Sequence, residues 1–215
     1  ENFAGQWLQL RGLEEVSPSR KKFPTFDDQL REAMLRETEL FFRTIVSDNR
    51  SILDFLDADY TYVNDRLAKH YGISGVSGPE FKRVSLEGGR RGGLLGQASI
   101  LTVTSDPTRT SPVKRGKWIL ENLFDAPPPE APPDVPQLAD GDSTQLTGSL
   151  REQMEKHRAD PACASCHKMM DPLGFGLENY NAIGAWRDRD GTVEIDATGE
   201  LPSGQTFDGP HELRR

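Results

Sequence analysis

Residues 163–167 read Cys-Ala-Ser-Cys-His. Cys163 and Cys166 are three positions apart, so on a helix their thiols sit about one turn apart on the same side. Each thiol can form a thioether with one vinyl group of a haem. The next residue, His167, then points at the iron as its proximal ligand. C-x-x-C-H is the attachment signature of c-type haem, and histidine is a common axial ligand. Other chemistries use the same residue types. A redox dithiol of the thioredoxin kind belongs to a βαβ context, which the surrounding sequence lacks. A zinc ion could recruit His167 and His157, but tetrahedral zinc usually takes two separated ligand pairs, and adjacent Cys166 and His167 cannot easily both reach one ion. A local strained disulfide is the remaining use of the pair. The sequence reading takes one covalent haem c as the cofactor, held by Cys163, Cys166 and His167.

The segment after the motif suits that cofactor. Phe175, Leu177, Tyr180, Ile183 and Trp186 offer aromatic and aliphatic walls, and haem needs a dry pocket that sets its potential. The distal ligand is harder to assign. No methionine follows Met170, and Met169 and Met170 lie too near His167 to reach the opposite haem face. His157, six residues before Cys163, is the first distal candidate; it could instead bond a propionate or a backbone carbonyl. His211, 44 residues after His167, is the alternative. A residue outside this sequence, or no protein ligand, completes the options. His70 is read as structural.

The elements that must position these residues are mainly helical. Phe3–Leu13 is a short apolar segment, with Trp7, Leu8 and Leu10 packing at the end of a helix. Asp27 is a plausible N-cap, and Leu30, Met34, Phe41 and Ile45 recur at helical spacing, so a helix is predicted over 27–46. A short helix follows at 51–56. Asn64 caps another over Asp65–Tyr71, with Gly72 at its C′ position. Val84–Leu86 is a candidate strand. Gly92, Gly93 and Gly96 do not follow the phosphate-loop order and are assigned to turns and close packing. Pro112 suits a first helical turn, and a helix over Val113–Phe124 buries Trp118, Ile119 and Leu123. Six prolines from Pro127 to Pro136 predict an extended, fairly stiff strap. A helix near Leu146–Arg158 leads to Asp160-Pro161, which ends it. Beyond the motif, Asp190-Gly191 predicts a hairpin turn, and the closing residues from His211 read as a helix start.

This gives a mainly α fold: a helical N-terminal region over 1–125, a Pro-rich linker over 126–142, and a cytochrome c-like haem segment with a small β-hairpin over 143–215. The formal net charge of -8 argues against nucleic acid, which needs a basic face. The local basic clusters, Arg20–Lys22 and Lys114–Lys117, are read as solvated faces. No apolar run approaches the ~20 residues of a membrane span. Two cysteines in 215 residues make no disulfide framework. The sequence begins at Glu1, which reads as a piece of something longer, and the C-terminus is expected to be truncated too.

Three stretches together carry a family resemblance: Cys163 to Arg187, Thr110 to Phe124 with the Pro-rich Pro127–Pro136, and Asn64 to Gly72. They resemble large planctomycete-type multi-domain cytochrome proteins built from domains of unknown function, in the family's order and over nearly the whole chain. The resemblance implies the C-terminal, haem-bearing part of a larger secreted bacterial protein. It carries over Cys163, Cys166 and His167 as attachment and proximal ligand, and places His157 at the family's histidine ahead of the motif. It implies no settled activity.

Three functions compete. The first is electron transfer by a single haem, to a redox partner protein or to another haem module of the same full-length chain. The second is a peroxidase-like haem enzyme with an open distal site, in which His157, Glu178 or Asp171 would supply acid–base help. Set against that, Asp171 is read as a turn cap before Pro172, and Glu178 as paired with a nearby arginine. The third is a binding or scaffold module, zinc-stabilised if no haem is held; residues 1–125 contain no recognisable catalytic constellation. Electron transfer is favoured over catalysis. Attachment of haem c takes place outside the cytoplasm, so a periplasmic or other extracytoplasmic location is expected.

Overall fold

The computed structural model describes residues 2–129, 149–158, 161–201 and 203–215. Among them the chain is mainly α-helical, with three small antiparallel two-stranded sheets. The expected polyproline strap falls largely on residues 130–148, outside the described residues.

The chain opens with α1 (Asn2–Trp7) and α2 (Gly12–Glu15); Leu8 and Leu10 between them and Leu13 within α2 are all buried. The long helix α3 (Asp28–Ser47) starts where the sequence predicts: the Asp27 carboxylate accepts the Leu30 N–H at 2.7 Å, a cap worth about 1 kcal/mol. Its buried face runs through Leu30, Ala33, Met34, Phe41 and Ile45, an i, i+3/i+4 stripe interrupted by buried Glu37 and Thr38. Full burial of each large apolar side chain contributes about 2 kcal/mol. After α4 (Asp54–Asp57) comes β1 (Tyr60–Val63), then α5 (Asp65–Tyr71), capped by the Asn64 side chain and closed by Gly72 in the left-handed conformation. β1 pairs antiparallel with β2 (Lys82–Ser85), Tyr60 opposite Ser85. The sequence reading contains β2, two residues late at its start and one at its end, but not β1.

A 3-10 turn at Leu94–Gly96 leads into α6 (Ala98–Val103) and then α7 (Pro112–Asn122). Gly93 is needed for close packing, as expected: a Cβ there would meet the Leu56 carbonyl oxygen at 2.1 Å. The motif region contains α8 (Leu150–His157) and α9 (Pro161–Phe175). β3 (Arg189–Asp190) and β4 (Val193–Glu194) form the expected hairpin around Gly191. A second hairpin, β5 (Thr198–Glu200) with β6 (Thr206–Asp208), was not foreseen, whereas α10 (Gly209–Leu213) confirms the helix start near His211.

Two adjoining cores hold these elements. The first gathers Leu8, Phe41, Phe55, Leu101, Trp118 and Ile119 with Leu173, Leu177 and Tyr180, so it draws on both sides of the Pro-rich segment. The second joins Leu13, Leu30, Met34, Val63, Leu67 and Ala98 to Ile183.

Beside these cores lie a half-buried histidine and a fully buried glutamate with opposite effects. The His70 Nε2 meets the Ile183 carbonyl oxygen at 2.7 Å and therefore carries the donated proton. This is the structural role expected of it. Burial lowers its pKa from 6.5 to about 4, partly opposed by that hydrogen bond and reinforced by Arg91 and Arg66. Glu37 accepts hydrogen bonds from Thr61 and Tyr71, each at 2.5 Å. Burial raises its pKa from 4.5 to about 7 against those bonds and the Arg91 charge. As pH falls below 6.5 the unfolded chain protonates at His70 before the folded chain does, so stability is lost down to about pH 4. Glu37 contributes stability at low pH that is lost as pH rises from 4.5 to 7. Each effect is about 3 kcal/mol over its window, so the two offset. We expect His70→Asn to make stability fall between pH 4.5 and 6.5, and Glu37→Gln to make it rise, in urea unfolding at the two pH values. Equal slopes in both variants would contradict this account.

Candidate functional site

The motif lies on the first two turns of α9, whose first residue is Pro161, a residue suited to a helix start. Cys163, Cys166 and His167 thus share one helix. The side chains of Cys163 and His157 lie outside the described part of the structure, so the geometry rests on Cys166, His167 and their surroundings. Cys166 and Met169 are half-buried against the first core, while Met170 is buried in it.

What fixes α9 is its crossing with α7. The two helices meet backbone to backbone at two glycines: a Cβ on Gly116 would lie 1.9 Å from the Met170 carbonyl oxygen, and one on Gly174 would lie 1.9 Å from that of Pro112. The turn after α9 is held from the same helix. Arg115 of α7 is fully buried; its guanidinium donates to the carbonyl oxygens of Leu177 at 2.7 Å and of Tyr180 and Asn181 at 2.9 Å, and pairs with Glu178 at 3.4 Å. Burial lowers its pKa to about 10, which leaves it charged at neutral pH. Of the basic cluster Lys114–Lys117, read as a solvated face, the two lysines are exposed and Arg115 is not. A guanidinium has five donors to distribute, so burial is tolerated where this many acceptors converge.

His167 is 12% exposed, and its Nδ1 lies 2.9 Å from the Asp171 Oδ1, one turn along α9. Asp171 is completely buried. Its other oxygen is 3.8 Å from Arg158 Nη1, just past the end of α8. Asp171 therefore does not cap a turn: α9 continues through Pro172 to Phe175. With Nδ1 turned to a carboxylate, Nε2 is the nitrogen through which His167 would ligate a metal, the arrangement in which an outer partner fixes the tautomer and orientation of a ligating histidine.

The remaining candidates are placed as follows. Glu178 pairs with arginine as expected, with Arg115 and with Arg187 at 3.0 Å, and accepts from Thr110 at 2.8 Å. His157 ends α8. His211 is exposed on α10, its ring against Gly89. Of the wall residues, Leu177 and Tyr180 belong to the first core, with Trp186 packed against it, and Ile183 belongs to the second. Phe175 is covered by the Arg151 guanidinium of α8, 4.0 Å from its ring centre. Among the described residues no three His, Cys, Asp or Glu side chains form a group able to hold a metal ion. The sequence reading passed over Met154, which lies upstream of the motif on α8 and is 1% exposed. It also passed over the pairing of Asp171 with His167, although an i, i+4 spacing on a helix was the available signal.

Fold and site define a mainly α protein whose C-x-x-C-H helix is clamped by a second helix at two glycines. Residues 91–190 match the family model PSCyt3, a protein of unknown function (DUF1588), and residues 1–73 match PSD4, a protein of unknown function (DUF1592). Both names are consistent with the planctomycete cytochrome-like domains of unknown function that the sequence resembles. No curated protein and no solved structure matches the chain. The first match contains α7, α8 and α9, hence both sides of the glycine crossing.

Proposed function

We propose that the chain is a c-type cytochrome module with one covalent haem, which transfers electrons within a larger extracytoplasmic protein. The observation that carries this reading is the placement of Cys163, Cys166 and His167 on the first two turns of α9, with His167 Nδ1 held by Asp171. The donor set fits the group. Cys163 and Cys166 would hold the haem through thioethers to its vinyl groups, an addition that needs no oxidant, and His167 would ligate its iron through Nε2. Haem so held supplies a one-electron iron couple, and its partner is a redox protein or another haem module of the full-length chain.

The side chains give the enzyme reading less support. Asp171 stands behind His167, on its Nδ1 side, where it cannot serve a distal reactant. Glu178 is engaged by Arg115, Arg187 and Thr110. Of the three acid–base candidates this leaves His157, which we assign instead as the first distal ligand, with His211 as the alternative. Among the described residues no helix is long and apolar enough to cross a membrane.

The test is an absorption spectrum, oxidised and reduced, of protein made in a host with c-type haem maturation, with a pyridine haemochrome assay. We expect a c-type haemochrome that survives denaturation and a low-spin oxidised spectrum, which turns high-spin in His157→Ala and not in His211→Ala. A high-spin spectrum in the unaltered protein would favour the enzyme; absence of haem would sink both.

A further inference from the structure

We propose that Asp171 is a positioning residue that lowers the reduction potential of the iron by acting on His167. This rests on the haem reading above and goes beyond it. Three observations carry it. The Nδ1–Oδ1 distance of 2.9 Å is set within one helix, since residues four apart share a face, so the pair does not depend on a mobile loop. Asp171 is fully buried, so water does not screen its carboxylate. Among the described residues its Oδ2 makes no hydrogen bond, and the cation paired with it, Arg158, stands off at 3.8 Å. The carboxylate is thus directed chiefly at the imidazole. A carboxylate accepting from Nδ1–H makes the ring a stronger electron donor at Nε2. That favours ferric over ferrous iron, because the oxidised state carries one more positive charge. Arg158 works in the opposite sense, drawing on the same carboxylate from its other oxygen.

The two side chains therefore have opposite signs, which a purely structural role would not produce. In haem-loaded protein, Asp171→Asn should raise the ferrous-to-ferric ratio at a fixed ambient potential by about tenfold, equivalent to about 59 mV for a one-electron couple. Arg158→Ala, at a side chain 31% exposed, should shift it the other way by a smaller factor. The experiment is an equilibrium redox titration followed by visible absorption, with a pyridine haemochrome on each denatured sample. Opposite shifts support the proposal. Unmoved potentials, or shifts in one direction for both variants, overturn it while an intact haemochrome leaves the haem reading standing. Should Asp171→Asn fail to fold, Arg158→Ala alone decides: a lowered potential supports the proposal, and an unchanged or raised one overturns it. A wild-type protein without a c-type haemochrome would instead remove the reading on which the proposal rests.

Discussion

Gly116→Ala should destabilise the protein by about 3 kcal/mol or more, far beyond what one methyl group usually costs. The reason is what the new Cβ meets. At 1.9 Å from the Met170 carbonyl oxygen and 2.6 Å from its carbon, it strikes backbone and not a side chain that can swing away. α7 and α9 would have to separate, and the core between them, with Trp118, Ile119 and Leu173, would open. Gly174→Ala should behave alike, because it meets the Pro112 carbonyl at the same distance. Gly5→Ala is the control: it lies inside α1 with nothing within 4 Å of its Cβ and should be neutral or stabilising by about 0.5 kcal/mol. Thermal unfolding checks this. For a chain of this size about 3 kcal/mol corresponds to a melting point lower by roughly 6–12 °C. Equal melting points for Gly116→Ala and Gly5→Ala would refute the crossing as drawn.

Arg115→Met should cost about 4 kcal/mol, within the range for breaking one side of a buried pair. The substitution fills similar volume but removes the donors to three backbone carbonyls, at Leu177, Tyr180 and Asn181, and one of the partners of Glu178. Arg115→Lys should recover little of this, because a single ammonium cannot reach acceptors fanned across a whole turn. Since α9 and the turn after it lose their anchor, haem incorporation should fall along with stability. Urea unfolding and haem content, measured on the same preparations, check both effects. A lysine variant close to wild type would show that charge alone, and not the guanidinium fork, is what the turn requires.

These two side-chain environments mark the limit of what could be read from the sequence. Local signals were legible. The Asp27 and Asn64 caps, the stripe from Leu30 to Ile45, Gly72 and Pro112 each act within a few residues, and the helices they predict are present. Contacts between distant segments were not. β1 carries Tyr, Thr and Val, all good strand formers, but its partner β2 begins some twenty residues later, and four residues between two helices gave no alternation long enough to count. Arg115 looked like one cation in a solvated run. The available signal was its helical phase, since it lies three and four residues before Trp118 and Ile119, on the face they bury. At the site, the cysteine and histidine spacing was legible because residues 163, 166 and 167 fall within the first two turns of a single helix. The Asp171 pairing was obscured by Pro172, which suggested a turn where α9 continues.

The most direct test of the proposed function is the intact mass of the denatured chain, produced alongside c-type haem maturation proteins. We expect the polypeptide plus one haem for the unaltered sequence, and the bare polypeptide for Cys163→Ala/Cys166→Ala. A bare polypeptide for the unaltered sequence, under conditions where a known c-type cytochrome is fully loaded, would contradict the haem assignment, and zinc found in the native protein would then identify a metal-stabilised binding module instead.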